Sequence, residues 1–217
     1  FENAERTTDP AERSKQLTFV IVGGGPTGVE LAGAIGEMSR YTLAKDFRSI
    51  DAASARVILI EAGPRILAQF SEATATRALS DLAHLGVQVW TSHSVTSIDA
   101  DGVQIGEQRL PAATVLWAAG VKASTIGKQS GFETDPQGRV IVAPDLSVPG
   151  HSEIFVAGDL ARFTHQTGKP LPGTAPVAMQ QGNYIARTIV AELRGEHRRP
   201  FHFLDKGQMA TIGRSKA

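Results

Sequence analysis

Short unbroken apolar runs alternate along this chain with longer segments in which apolar residues recur at helical spacing. Leu17-Thr18-Phe19-Val20-Ile21-Val22 is almost continuously apolar and ends on glycines, the pattern of a central strand buried on both faces of a parallel sheet. Val29 to Met38 continues as a helix. A second apolar run, Arg56 to Ile60, ends on Glu61; the helical pattern of Ser71 to Leu85 stops at Gly86, and Val87 to Trp90 forms a third strand. The β-α-β-α-β order predicts a parallel sheet with right-handed crossovers. Between the first helix and the second strand, Arg40 to Ala55 is longer than a crossover needs. Tyr41, Leu43, Phe47 and Ile50 recur there at near-helical spacing, which predicts an inserted helical excursion.

After Ser94 the rhythm shortens. Ser94 to Ile98, Gly102 to Ile105 and Gln108 to Leu110 are joined by Asp101-Gly102 and a turn near Gly106, which predicts an antiparallel ribbon inserted late in the first domain. Thr114 to Trp117 returns as an apolar strand ending in Ala118-Ala119-Gly120. Beyond it come the turn Asp135-Pro136-Gln137-Gly138, strands at Arg139 to Val142 and Ile154 to Ala157, and a helix from Ala175 to about Leu193. Phe201 to Phe203 and Gln208 to Ile212 look like further strands. The resulting division is residues 1–16 as a lead-in helix and linker, 17–121 as a nucleotide-binding domain and 122–217 as a second α/β region.

Composition narrows the function classes. The 22 Lys and Arg balance the 22 Asp and Glu, so no net field attracts a polyanion, and nucleic acid is not expected as a partner. The basic cluster Arg194 to Arg199 reads as the solvated end of a helix and its turn. With no cysteine, the chain has no disulfide framework, thiolate zinc site or redox CxxC of its own. His84, His93, His151 and His165 lack ligand spacing, so no metal is expected. No apolar run is long enough to span a membrane.

Chemistry concentrates at Gly23-Gly24-Gly25-Pro26-Thr27-Gly28. Following a strand and opening a helix, Gly23-x-Gly25-x-x-Gly28 is the dinucleotide turn: Gly23 allows the tight turn, Gly25 lets backbone approach a pyrophosphate, and Gly28 lets helix and strand pack closely. Glu61, at the end of the second strand, stands where a carboxylate accepts both adenosine ribose hydroxyls and repels a 2′-phosphate, favouring NADH. Arg65 is the residue that would serve NADPH instead. Glu30, just inside the helix, has a sufficient structural reason in the helix dipole.

The turn from Gly23 to Gly33, Ile60-Glu61-Ala62-Gly63-Pro64-Arg65, Trp117 to Val121 and Val156-Ala157-Gly158-Asp159 together resemble the two-dinucleotide-fold flavoprotein reductases. Leu171 to Gly182 and Met209 to Arg214 make the sequence similar, more narrowly, to the type II, non-proton-pumping NADH:quinone oxidoreductases. The resemblance implies a Rossmann-like NADH domain inserted in a split FAD domain, of which only the second half lies in this chain. The first half and a C-terminal membrane-docking segment are expected outside it, so the chain alone is expected to hold FAD poorly and to be inactive.

On the same resemblance, Ala119, Gly120 and Val121 line the nicotinamide approach with Glu30, while Gly158 and Asp159 bind the flavin, Asp159 at the ribityl chain. Ala175, Pro176 and Val177 border the isoalloxazine, and Gln180 and Gln181 the quinone. Many members have Gln where this chain has Pro176, so only Gln180 carries over from that motif. Hydride transfer needs no protein acid or base, so no catalytic side chain is expected. The implied whole protein is peripheral at the cytoplasmic face of the inner membrane and compatible with a homodimer. Two other readings remain open: a flavoprotein reductase of ferredoxin, rubredoxin or a disulfide, and an NADH-binding sensor akin to apoptosis-inducing factor.

Overall fold

The computed structural model describes residues 1–214 and 216. The chain forms two compact units, Phe1–Gly120 with Gln208–Ala217, and Val121–Gly207.

The first unit opens with two short helices, α1 (Glu2–Arg6) and α2 (Pro10–Gln16), the second capped by Asp9, whose carboxylate accepts the Ala11 N–H at 2.9 Å. Strand β1 (Thr18–Val22), helix α3 (Pro26–Glu37), β2 (Arg56–Ile60), α4 (Glu72–His84) and β3 (Val87–Trp90) follow. Strands β4 (Val95–Asp99), β5 (Gly102–Ile105) and β6 (Gln108–Pro111) form an antiparallel three-stranded ribbon, and β7 (Thr114–Trp117) completes a parallel four-stranded sheet in the order β3-β2-β1-β7. The ribbon therefore emerges where its turn signals lie.

The unbroken apolar character of β1 and β2 has a direct cause, because both faces of the sheet are covered. Ile21, Val57 and Leu59 pack against Val29 and Ala32 of α3 and Ala75, Ala78 and Leu82 of α4. Val20, Val22, Ile58 and Ile60 point the other way, onto Val103, Ile105, Leu110 and Ala112 of the ribbon segment. Each such side chain contributes about 1.5–3 kcal/mol of burial. Helix α4 starts at Ser71, whose hydroxyl accepts the Thr74 N–H, and ends before Gly86 in the left-handed region at φ +70°, as caps of these types require.

Three segments of this unit depart from expectation. Residues 1–16 are not merely a linker: Ala4 is buried, Phe1 stacks on Phe19 and Phe47, and Glu5 accepts the backbone N–H groups of Arg48, Ser49 and Ile50. The 40–55 excursion is helical only at its ends, as a π turn at Met38–Thr42 and a 3-10 turn at Ala52–Ser54. Residues 208–214, expected with the second region, belong to the first unit, where Ile212 joins the α3/α4 core. That segment is not a ladder strand; Ile212 makes an isolated bridge with Lys216.

The second unit contains α5 (Ile126–Gln129), β8 (Val140–Ile141), β9 (Ser147–Val148), β10 (His151–Phe155), β11 (Ala161–Arg162) and α6 (Ala175–Glu192). Its strands pair in twos, β9 with β10 and β8 with β11, and Val140 of β8 also bridges Thr134. Phe201 and Phe203 are not a strand either. They are core anchors, Phe201 edge-on to Phe163 with ring centroids 5.3 Å apart. The basic cluster at 194–199 is also more than a solvated turn, since Arg198 bridges Glu192 and Asp145 and covers the Phe155 ring.

Burial pushes the Asp145 carboxyl up, but hydrogen bonds from Ser147 and Arg198 outweigh it and hold it below the usual carboxylate range. Its stabilisation is therefore complete above the unfolded value of about 3.9 and is lost as pH falls through the lower folded value. Asp145→Asn is expected to lower Tm at pH 7 by roughly 2–4 °C, for a loss of about 1 kcal/mol. It should also flatten the acid limb of Tm against pH between 5 and 2, as followed by thermal melts.

Candidate functional site

The turn after β1 is built by close approach. Gly23 sits at φ +110°, and a Cβ there would lie 2.7 Å from the backbone of Ala118 and Ala119. At Gly28 a Cβ would lie 1.8 Å from the Gly23 carbonyl oxygen, so helix α3 touches the turn backbone to backbone. Gly25 differs: a Cβ there would meet nothing within 4 Å. No internal packing requires glycine at 25, and the space above it is open. Pro26 opens α3, where its missing N–H costs nothing, and exposed Thr27 follows. The helix N-terminus beside this open space favours an anion.

Glu61 closes the other side. One carboxylate oxygen accepts the Gly24 N–H and the other the Gly63 N–H, each at 2.6 Å. The carboxylate thus joins the turn after β1 to the turn after β2, with lone pairs left for a vicinal diol. Arg65 is engaged elsewhere, donating to the carbonyls of Ala68 at 2.7 Å and Phe70 at 3.1 Å. Its guanidinium braces its own loop.

Glu30 accepts the backbone N–H of Thr211 at 3.0 Å and its hydroxyl at 3.3 Å. It lines a cleft of about 600 Å³ with Leu31, Ala34, Met38, Thr211 and Arg214. Ala119 and Gly120 are exposed beyond β7, Gly120 at φ +105° with open space at its Cβ position. Val121, also exposed, is the first residue of the second unit.

In the second unit, Asp159 is exposed and lines a cleft of about 220 Å³ with Gln137, Arg139, Gly158 and Gly173. Gly158 stands at φ +65°, and its N–H is taken at 2.6 Å by the side-chain oxygen of Gln181, which is only 1% exposed. Gln181, expected at the quinone, is thus an internal brace of the Gly158-Asp159 turn. Gln180 exchanges two hydrogen bonds with the Leu204 backbone, at 3.0 and 2.9 Å. At the start of α6, Ala175 and Pro176 are exposed, whereas Val177 is buried.

Sequence reasoning missed three contributors. Thr211 meets Glu30 across 181 positions, and Leu67 and Ser92 support the Glu61 loops through main-chain bonds, for which residue type carries no signal. Among the described residues, no group of His, Cys, Asp and Glu is arranged to hold a metal, and no helix is long and apolar enough to cross a membrane.

The sequence profile of the pyridine nucleotide-disulphide oxidoreductase family matches residues 1–182. The type II NADH:quinone oxidoreductase Ndh of Mycobacterium tuberculosis is 44% identical over 229 residues, covering 100% of this chain and 48% of that protein. The Staphylococcus haemolyticus type II NADH:quinone oxidoreductase is 34% identical over 204 residues, covering 92% of this chain and 50% of its own length. The chain spans about half the length of these curated relatives. In fold it is similar to Plasmodium falciparum NDH2 in complex with NADH, with a TM-score of 0.85 at 18% identity over 98% of this chain and 60% of that one.

The contrast between two glycines gives a direct test. Gly28→Ala forces a backbone shift at the Gly23 carbonyl and is expected to destabilise by about 1–3 kcal/mol, as overpacking does. Gly25→Ala should stay within about 1 kcal/mol of the parent. Urea unfolding of the two variants, with unchanged m-values, measures the difference.

Proposed function

We propose, since the chain belongs to the pyridine nucleotide-disulphide oxidoreductase family, that it forms the NADH-binding domain and part of the FAD-binding domain of a type II NADH:quinone oxidoreductase. The observation that carries this reading is the open space at Gly25, flanked by the α3 N-terminus and by the Glu61 carboxylate. Open space beside a helix N-terminus and a carboxylate supports a pyrophosphate and ribose seat. Relatives of that name at 34% and 44% identity support it.

In this reading FAD, when bound, would relay the two electrons of the NADH hydride to the quinone, which takes up two protons to become the quinol. The chain's own residues bind and orient. Gly23, Gly25, Pro26, Thr27 and Gly28 shape the backbone around the pyrophosphate, with the free N–H groups of the helix start directed at the anion. Glu61 accepts the ribose hydroxyls and repels a 2′-phosphate. Arg65 keeps its charge, but its Nη2 is committed to the Ala68 and Phe70 carbonyls, and it would have to give up these bonds to turn that nitrogen to the phosphate, which adds to the preference for NADH. Ala119 and Gly120 border the nicotinamide side, together with Glu30.

For the flavin, Gly158 and Asp159 fit a polyol: an exposed carboxylate in a cleft, on a turn held by buried Gln181. Ala175, Pro176 and Val177 start the helix beside it, and Gln180 contacts the quinone when its pairing with Leu204 opens. The quinone is taken to be lipid-borne, which implies that the whole protein docks peripherally at a membrane, in this reading the cytoplasmic face of the inner membrane.

Two experiments test this. Glu61→Gln removes the charge and sets an NH2 against the Gly24 or Gly63 N–H; NADH should bind at least roughly tenfold more weakly, as expected for the loss of a charge-assisted hydrogen bond, and the NADH-over-NADPH preference should narrow in calorimetric titrations accompanied by thermal melts. An unchanged preference removes Glu61 from the ribose. In the whole protein, Gln180→Ala should slow oxidation by a short-chain quinone by about tenfold and leave flavin reduction by NADH intact in stopped-flow traces. Tight NADH binding by the parent protein with no electron transfer to any quinone would replace the enzyme reading with a sensor.

A further inference from the structure

Among the described residues, the non-glycine positions in the left-handed region are Leu67 at φ +49°, Ser92 at +58° and Leu146 at +65°. Two of these three converge on the Glu61 loops. Leu67 is buried and donates its N–H to the Gly24 carbonyl at 2.7 Å; Ser92 is exposed and donates its N–H to the Gly63 carbonyl at 2.8 Å. These are the same two glycines whose N–H groups Glu61 holds. A continuous chain of hydrogen bonds results, running Ser92, Gly63, Glu61, Gly24, Leu67, in which each glycine has both its N–H and its carbonyl committed.

Neither leucine nor serine favours this backbone region, and such conformations persist only where the surroundings over-determine them. Here the surroundings include the β2 and β3 ends, since the Glu61 N–H donates to the Trp90 carbonyl at 2.8 Å and the His93 N–H to the Glu61 carbonyl at 3.1 Å. Ile66 adds a wall, lying where a Cβ on Gly24 would come within 2.8 Å of it.

We infer that Ser92 and Leu67 are positioning residues for the dinucleotide: their N–H groups, presented from left-handed backbones, hold the Gly63 and Gly24 carbonyls, and through those turns set the orientation of the Glu61 carboxylate toward the ribose. The inference rests on NADH being the ligand of this site. It assigns part of the NADH-over-NADPH discrimination to residue 92, whose side chain makes no hydrogen bond among the described residues. Preorganising a carboxylate before the ligand arrives removes an ordering cost from binding.

Ser92 is the better probe because its exposed side chain supports no core. A β-branched residue resists the left-handed region most strongly, whereas glycine and asparagine accept it. Ser92→Val in the full chain is expected to weaken NADH binding by about tenfold and to weaken NADPH binding far less, so that the ratio of the two dissociation constants narrows. Ser92→Gly and Ser92→Asn should retain the parent affinity and ratio. Thermal melts accompany each titration, because partial unfolding would weaken both nucleotides by one common factor.

Parent-like binding by Ser92→Val, an equal loss for both nucleotides, or an equal loss in Ser92→Gly would each overturn the inference while leaving the NADH site standing. Failure of the parent chain to bind NADH would overturn both.

Discussion

The Glu61 carboxylate bridges two main-chain N–H groups at 2.6 Å, those of Gly24 and Gly63, and the ligand end of the first unit is organised around that bridge. A partly buried carboxylate requires hydrogen-bond donors, and these turns provide them from backbone alone, without a cation. The bond pair ties the end of β1 to the end of β2, while main-chain bonds from Glu61 to the β3 end extend the same edge. The carboxyl edge of a parallel sheet is where such folds place ligands, and here it is stiffened before any ligand enters.

That edge can be stiff because the central strands beneath it, β1 and β2, are covered on both faces. Val20, Val22, Ile58 and Ile60 pack on the ribbon segment, and Ile21, Val57 and Leu59 on α3 and α4. Rotation or slippage of β1 would move apolar side chains out of both interfaces at once. Helix α3 is fixed along its axis by Gly28 against the Gly23 carbonyl, which leaves its N-terminus pointing into the space above Gly25.

The second unit reaches a comparable result with less regular structure. Its strands are short and paired in twos, and its order comes from Phe163, Phe201 and Phe203 in the core and from buried Gln181. A buried amide without a partner is costly, so Gln181 has one good position, and that position sets the Gly158 turn. Arg198, shared between Glu192 and Asp145, holds the segment after α6 in the same manner.

Local physics was legible in the chain itself. The strands of the first unit, helices α3, α4 and α6, and the glycine turn with Glu61 at the next strand end all follow from patterns a few residues long, because hydrophobic period, caps and turns are local properties. Partners were not legible. Phe201 to Phe203 alternates like a strand, but it supplies aromatic anchors, since alternation states which side chains are buried and not what they meet. Residues 208–214 rejoin the first unit because Ile212 completes its core, and Glu30 finds Thr211 far along the chain; no spacing rule reaches that distance. Gln181, placed at the quinone by resemblance, is buried and braces the Gly158 turn instead. Leu67 and Ser92 carry no conformational signature, since their left-handed backbones are imposed by the loops around them. Sequence alone determined which residues could form a dinucleotide turn and an acidic strand end. Tertiary structure decided how that acid is held, because its orientation depends on main-chain bonds from loops separated in sequence and joined only by the packed sheet.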